Sequence, residues 1–250
     1  MTGGNSMTVN AQSSNTVAAL ANVALCHSAL EAAMKRPAHL PGMVCMYGPA
    51  GFGKSTAAAY TANKTGAYYI ECKSTWSRKA VLQAILKEMG LPDTGTIYGM
   101  TDQICEQLAC SERPLIVDEM DYLAEKKVVE IIRDLHEGSG AAILLIGEER
   151  LPKKLERWER FHSRILDWVP AQPADFKDCL SLAKLYCPEI EIESNLLEKV
   201  YKASDGSVRR ICVNIEQIRT EAVNMGYDEI TLEDWGTRPL YTGSAPARRL

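Results

Sequence analysis

Hydrophobic residues follow two rhythms along this chain. Short, mostly unbroken apolar runs occur at Met43–Tyr47, Ala67–Cys72, Leu115–Glu119, Ala141–Gly147 and Ile165–Val169. Between them lie longer stretches in which apolar positions recur every three or four residues. The short runs predict buried strands and the longer stretches predict amphipathic helices. The helices are expected over Thr16–Arg36, ended by Pro37, over Lys54–Lys64, and over Ser77–Met89, stopped by Gly90 and Pro92. Another runs from the end of the 93–99 loop to about Cys110, and a further one over Ala124–Glu137, ended by Gly138. Strands apolar on both faces and alternating with helices predict an α/β fold, a parallel five-stranded sheet flanked by helices on both sides.

From Pro170 the rhythm changes. Asp175–Tyr186, Ser194–Ser204 and Val208–Asn224 read as helices with no strong strand among them, so a small all-helical domain is expected after the sheet. The chain divides into a start over residues 1–15, rich in Gly, Asn, Ser and Thr and expected to be disordered, a core over 16–170, the helical domain over 171–236, and a flexible tail over 237–250.

Composition narrows the function classes without choosing one. The 250 residues carry a formal net charge of −4, so affinity for nucleic acid has to come from a local basic patch. Eight cysteines are scattered with no C-x-x-C pair, and the four histidines are far apart, so zinc-ligand spacing is missing and a reduced, cytoplasmic protein is expected. No apolar run reaches the ~18 residues of a membrane span, and no signal peptide is evident.

The chemistry sits in two motifs. Gly48-Pro49-Ala50-Gly51-Phe52-Gly53-Lys54-Ser55 satisfies G-x-x-x-x-G-K-[ST] and lies between a strand and a helix. In such a loop main-chain N–H groups converge on phosphate oxygens where side chains would obstruct them, and the helix N-terminus behind adds positive potential. Residues 48–56, Thr56 included, are the expected nucleotide-binding segment, with Lys54 on the β- and γ-phosphates and Ser55 on magnesium. Further on, Asp118 and Glu119 close an apolar strand. Asp118 suits the metal and Glu119 the attacking water. ATP and Mg2+ are the cofactors implied, and hydrolysis the activity. The strand-helix segment at 67–90 between the motifs argues against small nucleotide kinases, and Asp121 is expected to cap a helix.

Three weaker signals each have two readings. Gly206-Ser207-Val208-Arg209 either brings Arg209 to the γ-phosphate or leaves a solvent-facing helical arginine. Arg150, Lys153, Arg157, Arg160 and Arg164 recur at helical spacing and line one face of a helix, either as a solvated face or so that Arg164 reaches the nucleotide of a neighbouring subunit. Lys73-Ser74-Thr75-Trp76-Ser77-Arg78-Lys79 offers cations, hydroxyls and an aromatic to a nucleic-acid backbone, with Lys73, Thr75, Arg78 and Lys79 as contacts. Alternatively it is a helix start capped by Ser77 with Trp76 packed on the core.

Taken in order, Met46–Ser55, Leu115–Leu123, Leu144–Gly147, Phe161–Ile165 and Gly206–Arg210 resemble the AAA+ ATPases that select targets for transposition, the phage Mu-type transposition protein B and its relatives. The resemblance covers roughly residues 40–225. It implies an AAA+ core with a helical lid, and an ATP-dependent homo-oligomer, ring or helical filament, that coats double-stranded DNA and delivers it to a transposase in the bacterial host cytoplasm. It makes Arg164 the arginine acting in trans and Arg209 the lid sensor, and it favours 73–79 as the DNA-contacting loop. Two features depart from the family. Glu148 and Glu149 follow Gly147 where relatives carry a polar uncharged residue, so either Glu148 points away or hydrolysis is slow. The residues before the glycine loop also leave no room for the helix-turn-helix module of the Mu-type protein. Other functions compatible with the motifs are a partner-dependent AAA+ loader, and a signalling ATPase or nucleotide-binding scaffold.

Overall fold

A computed structural model describes residues 20–245, so the start expected to be disordered and residues 246–250 of the expected tail lie outside it. The core opens with α1 (Ala21–Met34), β1 (Met43–Gly48), α2 (Lys54–Thr65), β2 (Tyr68–Glu71), α3 (Arg78–Glu88), α4 (Ile97–Ser111) and β3 (Leu115–Asp118). It continues through α5 (Asp121–Glu125), α6 (Val129–Ser139), β4 (Ile143–Glu148), α7 (Leu151–Glu156), α8 (Glu159–His162) and β5 (Ile165–Pro170). The remaining elements are α9 (Phe176–Tyr186), β6 (Glu191–Ile192), α10 (Ser194–Ser204), α11 (Val208–Met225), β7 (Glu229–Ile230) and α12 (Leu232–Trp235).

Five parallel strands form one sheet in the order β2-β3-β4-β1-β5. Alternation along each strand sorts its side chains between two apolar layers. Val44, Met46, Ile116, Leu144 and Ile146 face α1 and α2, while Met43, Cys45, Leu115, Val117, Ile143 and Leu145 join the layer containing α3, α4 and α6. Burial on both faces is why these strands read as unbroken apolar runs. The first layer continues without a break into α9, α10 and α11, through Cys179, Leu182, Leu196 and Ile211. The C-terminal helices and one face of the sheet therefore share a single apolar body.

All five expected strands form. Two expected helices do not form as single elements. The Ala124–Glu137 helix is divided between α5 and α6, because Leu123 and Ala124 on one side and Val128 and Val129 on the other are all buried, and Lys127 turns the chain between them with φ 60°. The cationic face from Arg150 to Arg164 is likewise not one face, since the helix breaks between α7 and α8 at Arg157 and Trp158. Leu155 and Phe161 are both fully buried but six residues apart, a spacing that one straight helix does not put on one face. Arg157 turns back to donate to the Ala124 carbonyl (2.7 Å).

The C-terminal region contains a feature absent from the sequence pattern, a two-stranded parallel sheet of β6 and β7, each two residues long. Where a flexible tail is expected from 237, the Arg238 guanidinium donates to the carbonyls of Asp234 (2.8 Å) and Trp235 (3.0 Å). Tyr241 exchanges main-chain bonds with the Asn214 side chain (2.7 and 3.0 Å). All eight cysteines are free, five of them buried, and among the described residues no helix is long and apolar enough to cross a membrane.

Candidate functional site

A cleft of about 300 Å3 opens where the C-terminal ends of β1, β3 and β4 meet the helices that follow β5. Its floor is the glycine loop, which joins β1 to α2 in two left-handed turns, Gly51 at φ 86° and Gly53 at φ 80°. Side chains are nearly forbidden in that conformation. Space forbids one at Gly51 as well, since a Cβ there would lie 2.6 Å from Ser207 Oγ. Lys54 opens α2 and folds back over the loop, donating to the carbonyls of Gly48 (2.8 Å) and Pro49 (2.9 Å). Burial lowers the pKa of its ammonium group, and the charges of Asp118, Glu119 and Glu148 act the other way.

Asp118 is buried at the end of β3. Its Oδ1 accepts from the Glu119 N–H (2.7 Å) and its Oδ2 from the Tyr69 hydroxyl on β2 (2.9 Å). Both carboxylate oxygens are thus fixed in direction. Glu119 adopts φ 54°, a left-handed conformation that costs a non-glycine residue on the order of 1–3 kcal/mol and concentrates at functional sites. Burial, then the charges of Asp118, Asp121 and Glu148, push its carboxyl above the usual carboxylate range.

Asp121 is not the helix cap expected of it. Met120 occupies the cap position, and buried Asp121 holds the tip of β4, accepting from the Glu148 N–H (2.6 Å) and from Lys154 Nζ (2.7 Å). Glu148, following Gly147 on β4, lines the cleft.

The start of α11 borders this floor. Ser207 caps that helix, accepting from the Arg210 N–H (3.4 Å), and the Arg209 N–H donates to the Gly51 carbonyl (3.1 Å). Arg209 therefore stands in the cleft with Ala50, Gly51, Gly53, Lys54, Ser55, Thr56, Asp118 and Glu119.

Of the remaining expected residues, Arg164 stands elsewhere. It precedes β5, where its carbonyl accepts from the Met43 N–H at the first residue of β1. At ~3.3 Å per residue that is roughly 16 Å along the strands from the Gly48 end. Its guanidinium pairs with Glu137 (2.8 Å) on the surface. Lys73, Thr75, Arg78 and Lys79 are exposed on the loop and helix start that follow β2. That segment also carries both parts of the plainer reading: Ser77 caps α3, accepting from the Ala80 N–H (3.3 Å), and Trp76 packs against the core.

Sequence reasoning missed three parts of the site. Leu20, Leu182, Tyr186, Val208 and Cys212 complete the lining of the cleft. Tyr69 gave no signal beyond strand alternation. Asn22, 5 % exposed, donates to the carbonyls of Phe52 (2.9 Å) and Gln172 (2.8 Å) and accepts from the Gln172 N–H (2.8 Å). It ties α1, the glycine loop and the segment after β5 together. A lone amide in the otherwise apolar run of α1 was the available clue.

Residues 38–155 match the family model described as AAA domain. No curated protein matches the chain. Solved structures with a similar fold include the Aeropyrum pernix ORC2 protein in ADPNP–ADP complexes (TM-score 0.68, 18% identity, covering 85% of this chain and 64% of that one). The Aeropyrum pernix ORC1 protein in complex with DNA is also similar (TM-score 0.63, 15% identity, 86% and 62%). So is the Thermotoga maritima RuvB Holliday junction branch migration motor (TM-score 0.58, 21% identity, 85% and 66%). The chain thus spans under two thirds of the length of each. The chain as a whole has the α/β fold of an AAA+ P-loop ATPase, with the match to the AAA domain model spanning residues 38–155.

Proposed function

We propose that this protein is an ATP-dependent ATPase that assembles on double-stranded DNA without sequence preference and delivers target DNA to a transposase. The observation that carries the ATPase part is the convergence of Lys54, Ser55, Asp118, Glu119 and Arg209 on one cleft floored by the glycine loop. The donor set fits a nucleotide with magnesium. Amides of the loop and the N-terminus of α2 suit phosphate oxygens. One hydroxyl (Ser55) and one carboxylate (Asp118) suit a magnesium ion whose other ligands come from phosphates and water.

When bound, the nucleotide would supply the phosphoanhydride bond to be cleaved and magnesium would neutralise the charge on its phosphate oxygens. The residues of the chain do the rest. Lys54 neutralises phosphate oxygens, while the Tyr69 hydroxyl and the Glu119 N–H orient Asp118. Glu119, its carboxyl raised in pKa, accepts a proton from water. Arg209, seated by its own main chain on Gly51, reads the γ-phosphate from the lid. Arg164 lies outside its own cleft, which suits an arginine supplied to the neighbouring subunit in a ring or filament. Lys73, Thr75, Arg78 and Lys79, exposed beyond β2, are assigned to DNA phosphates, which carry no sequence information. Transposition rests on the motif resemblance alone.

A second reading is a partner-dependent AAA+ loader. It uses the same nucleotide cleft and differs in requiring a dedicated partner, not DNA, to drive assembly. Sedimentation or negative-stain imaging with duplex DNA under ATP, ADP and no nucleotide separates the two. Filaments or rings on DNA formed only with ATP support the first reading, and a protein that ignores DNA in all three states overturns it in favour of the loader.

A further inference from the structure

We propose that Lys126 and Lys127 join Lys73, Arg78 and Lys79 in one continuous phosphate-binding rim for duplex DNA. The inference rests on the assignment of the 73–79 loop to DNA and enlarges that surface by a second loop.

β2 and β3 are neighbours in the sheet, so the segments leaving their C-terminal ends emerge side by side. The Cys72 N–H donates to the Asp118 carbonyl (3.0 Å) at this point, holding the two exits together. Higher up, Lys126 Nζ donates to the Trp76 carbonyl (3.4 Å), so the turn between α5 and α6 is tied directly to the first loop.

That turn is unusual for its sequence. A continuous helix would spread positions 126 and 127 around its surface. Instead Lys127 takes φ 60°, a conformation uncommon outside glycine, and both lysines stand exposed beside the first loop. Strained residues of this kind cluster at functional sites. Among the described residues, none of the five cations takes part in an ion pair. Glu125, the carboxylate next to them in the chain, is held by Lys154 (2.7 Å). On a protein of net charge −4, five uncompensated cations on two linked loops form the local basic patch that phosphate binding requires.

The test is the salt dependence of binding to a labelled duplex, by fluorescence anisotropy with ATP and Mg2+. Each phosphate neutralised on B-DNA contributes a slope of ~0.9 to log affinity against log salt. Lys126→Gln with Lys127→Gln is expected to lower the slope by ~2, with nucleotide affinity unchanged. Lys127→Gly removes one charge and relieves the left-handed backbone. It is expected to lower the slope by ~1 while melting no lower than the unmutated protein. Unchanged slopes in both variants, alongside a reduced slope for Lys73→Ala with Arg78→Ala, would overturn the rim and leave the first loop standing. No duplex binding by the unmutated protein would overturn both.

Discussion

Asn22→Ala removes the three hydrogen bonds by which one side chain joins α1, the glycine loop and the exit from β5. Each is worth about 1 kcal/mol net, so the loss is about 3 kcal/mol. At 5 % exposure, water has little room to replace them. A protein of this size loses roughly 2–4 °C of melting temperature per kcal/mol, so a drop of roughly 6–12 °C is expected by calorimetry. Asn22→Asp keeps the shape and the acceptor for the Gln172 N–H but turns a carboxylate oxygen towards the Phe52 and Gln172 carbonyls. It is expected to destabilise at least as much as alanine, and to recover part of the loss as pH falls and the buried carboxyl takes up a proton. Because Phe52 belongs to the loop, both variants should also bind nucleotide more weakly. A melting temperature within about 2 °C of the parent for both would refute the claim that this amide joins the three elements.

Tyr69→Phe removes one of the two donors on Asp118, and a loss of about 1 kcal/mol raises the magnesium concentration for half-maximal nucleotide binding about fivefold, measurable by titration. An unchanged magnesium dependence would deny Tyr69 its orienting role. Glu119→Gln should retain nucleotide and abolish turnover. Since burial and neighbouring charges raise the Glu119 carboxyl, turnover should fail at a higher pH on acidification than an ordinary glutamate would allow. Glu148→Gln removes one of those charges and should move that acid limb to lower pH. Arg164→Ala breaks only a surface pair with Glu137, so stability should change by no more than about 1 kcal/mol. If Arg164 acts in trans, turnover of the assembled protein should collapse, and full activity in assembled Arg164→Ala protein would rule that role out.

The sheet and the phosphate loop were legible because their causes are local. Burial on both faces leaves an unbroken run such as Ile143–Ile146, and the left-handed turns at Gly51 and Gly53 favour glycine, which the motif spacing makes visible. Helix breaks at Lys127 and Trp158 were not legible, because each follows from which distant surface the flanking apolar residues must reach. Two-residue strands such as β6 and β7 are too short to leave a period. The supports of the cleft were hidden for a related reason. Tyr69 meets Asp118 across 49 residues of sequence and Asn22 meets Gln172 across 150, and a lone polar residue does not announce its partner.

The bond from the Arg209 N–H to the Gly51 carbonyl runs between main chains. Any side chain except that of proline, which lacks the N–H, leaves it intact at position 209. The seat of α11 and the charge it carries are separable. Substitution at position 209 changes the charge in the cleft without removing this bond, whereas a single methyl at Gly51 collides with Ser207 and disturbs the seat itself. The charge at position 209 can therefore change while the contact between α11 and the glycine loop is kept, and Gly51 has no such freedom.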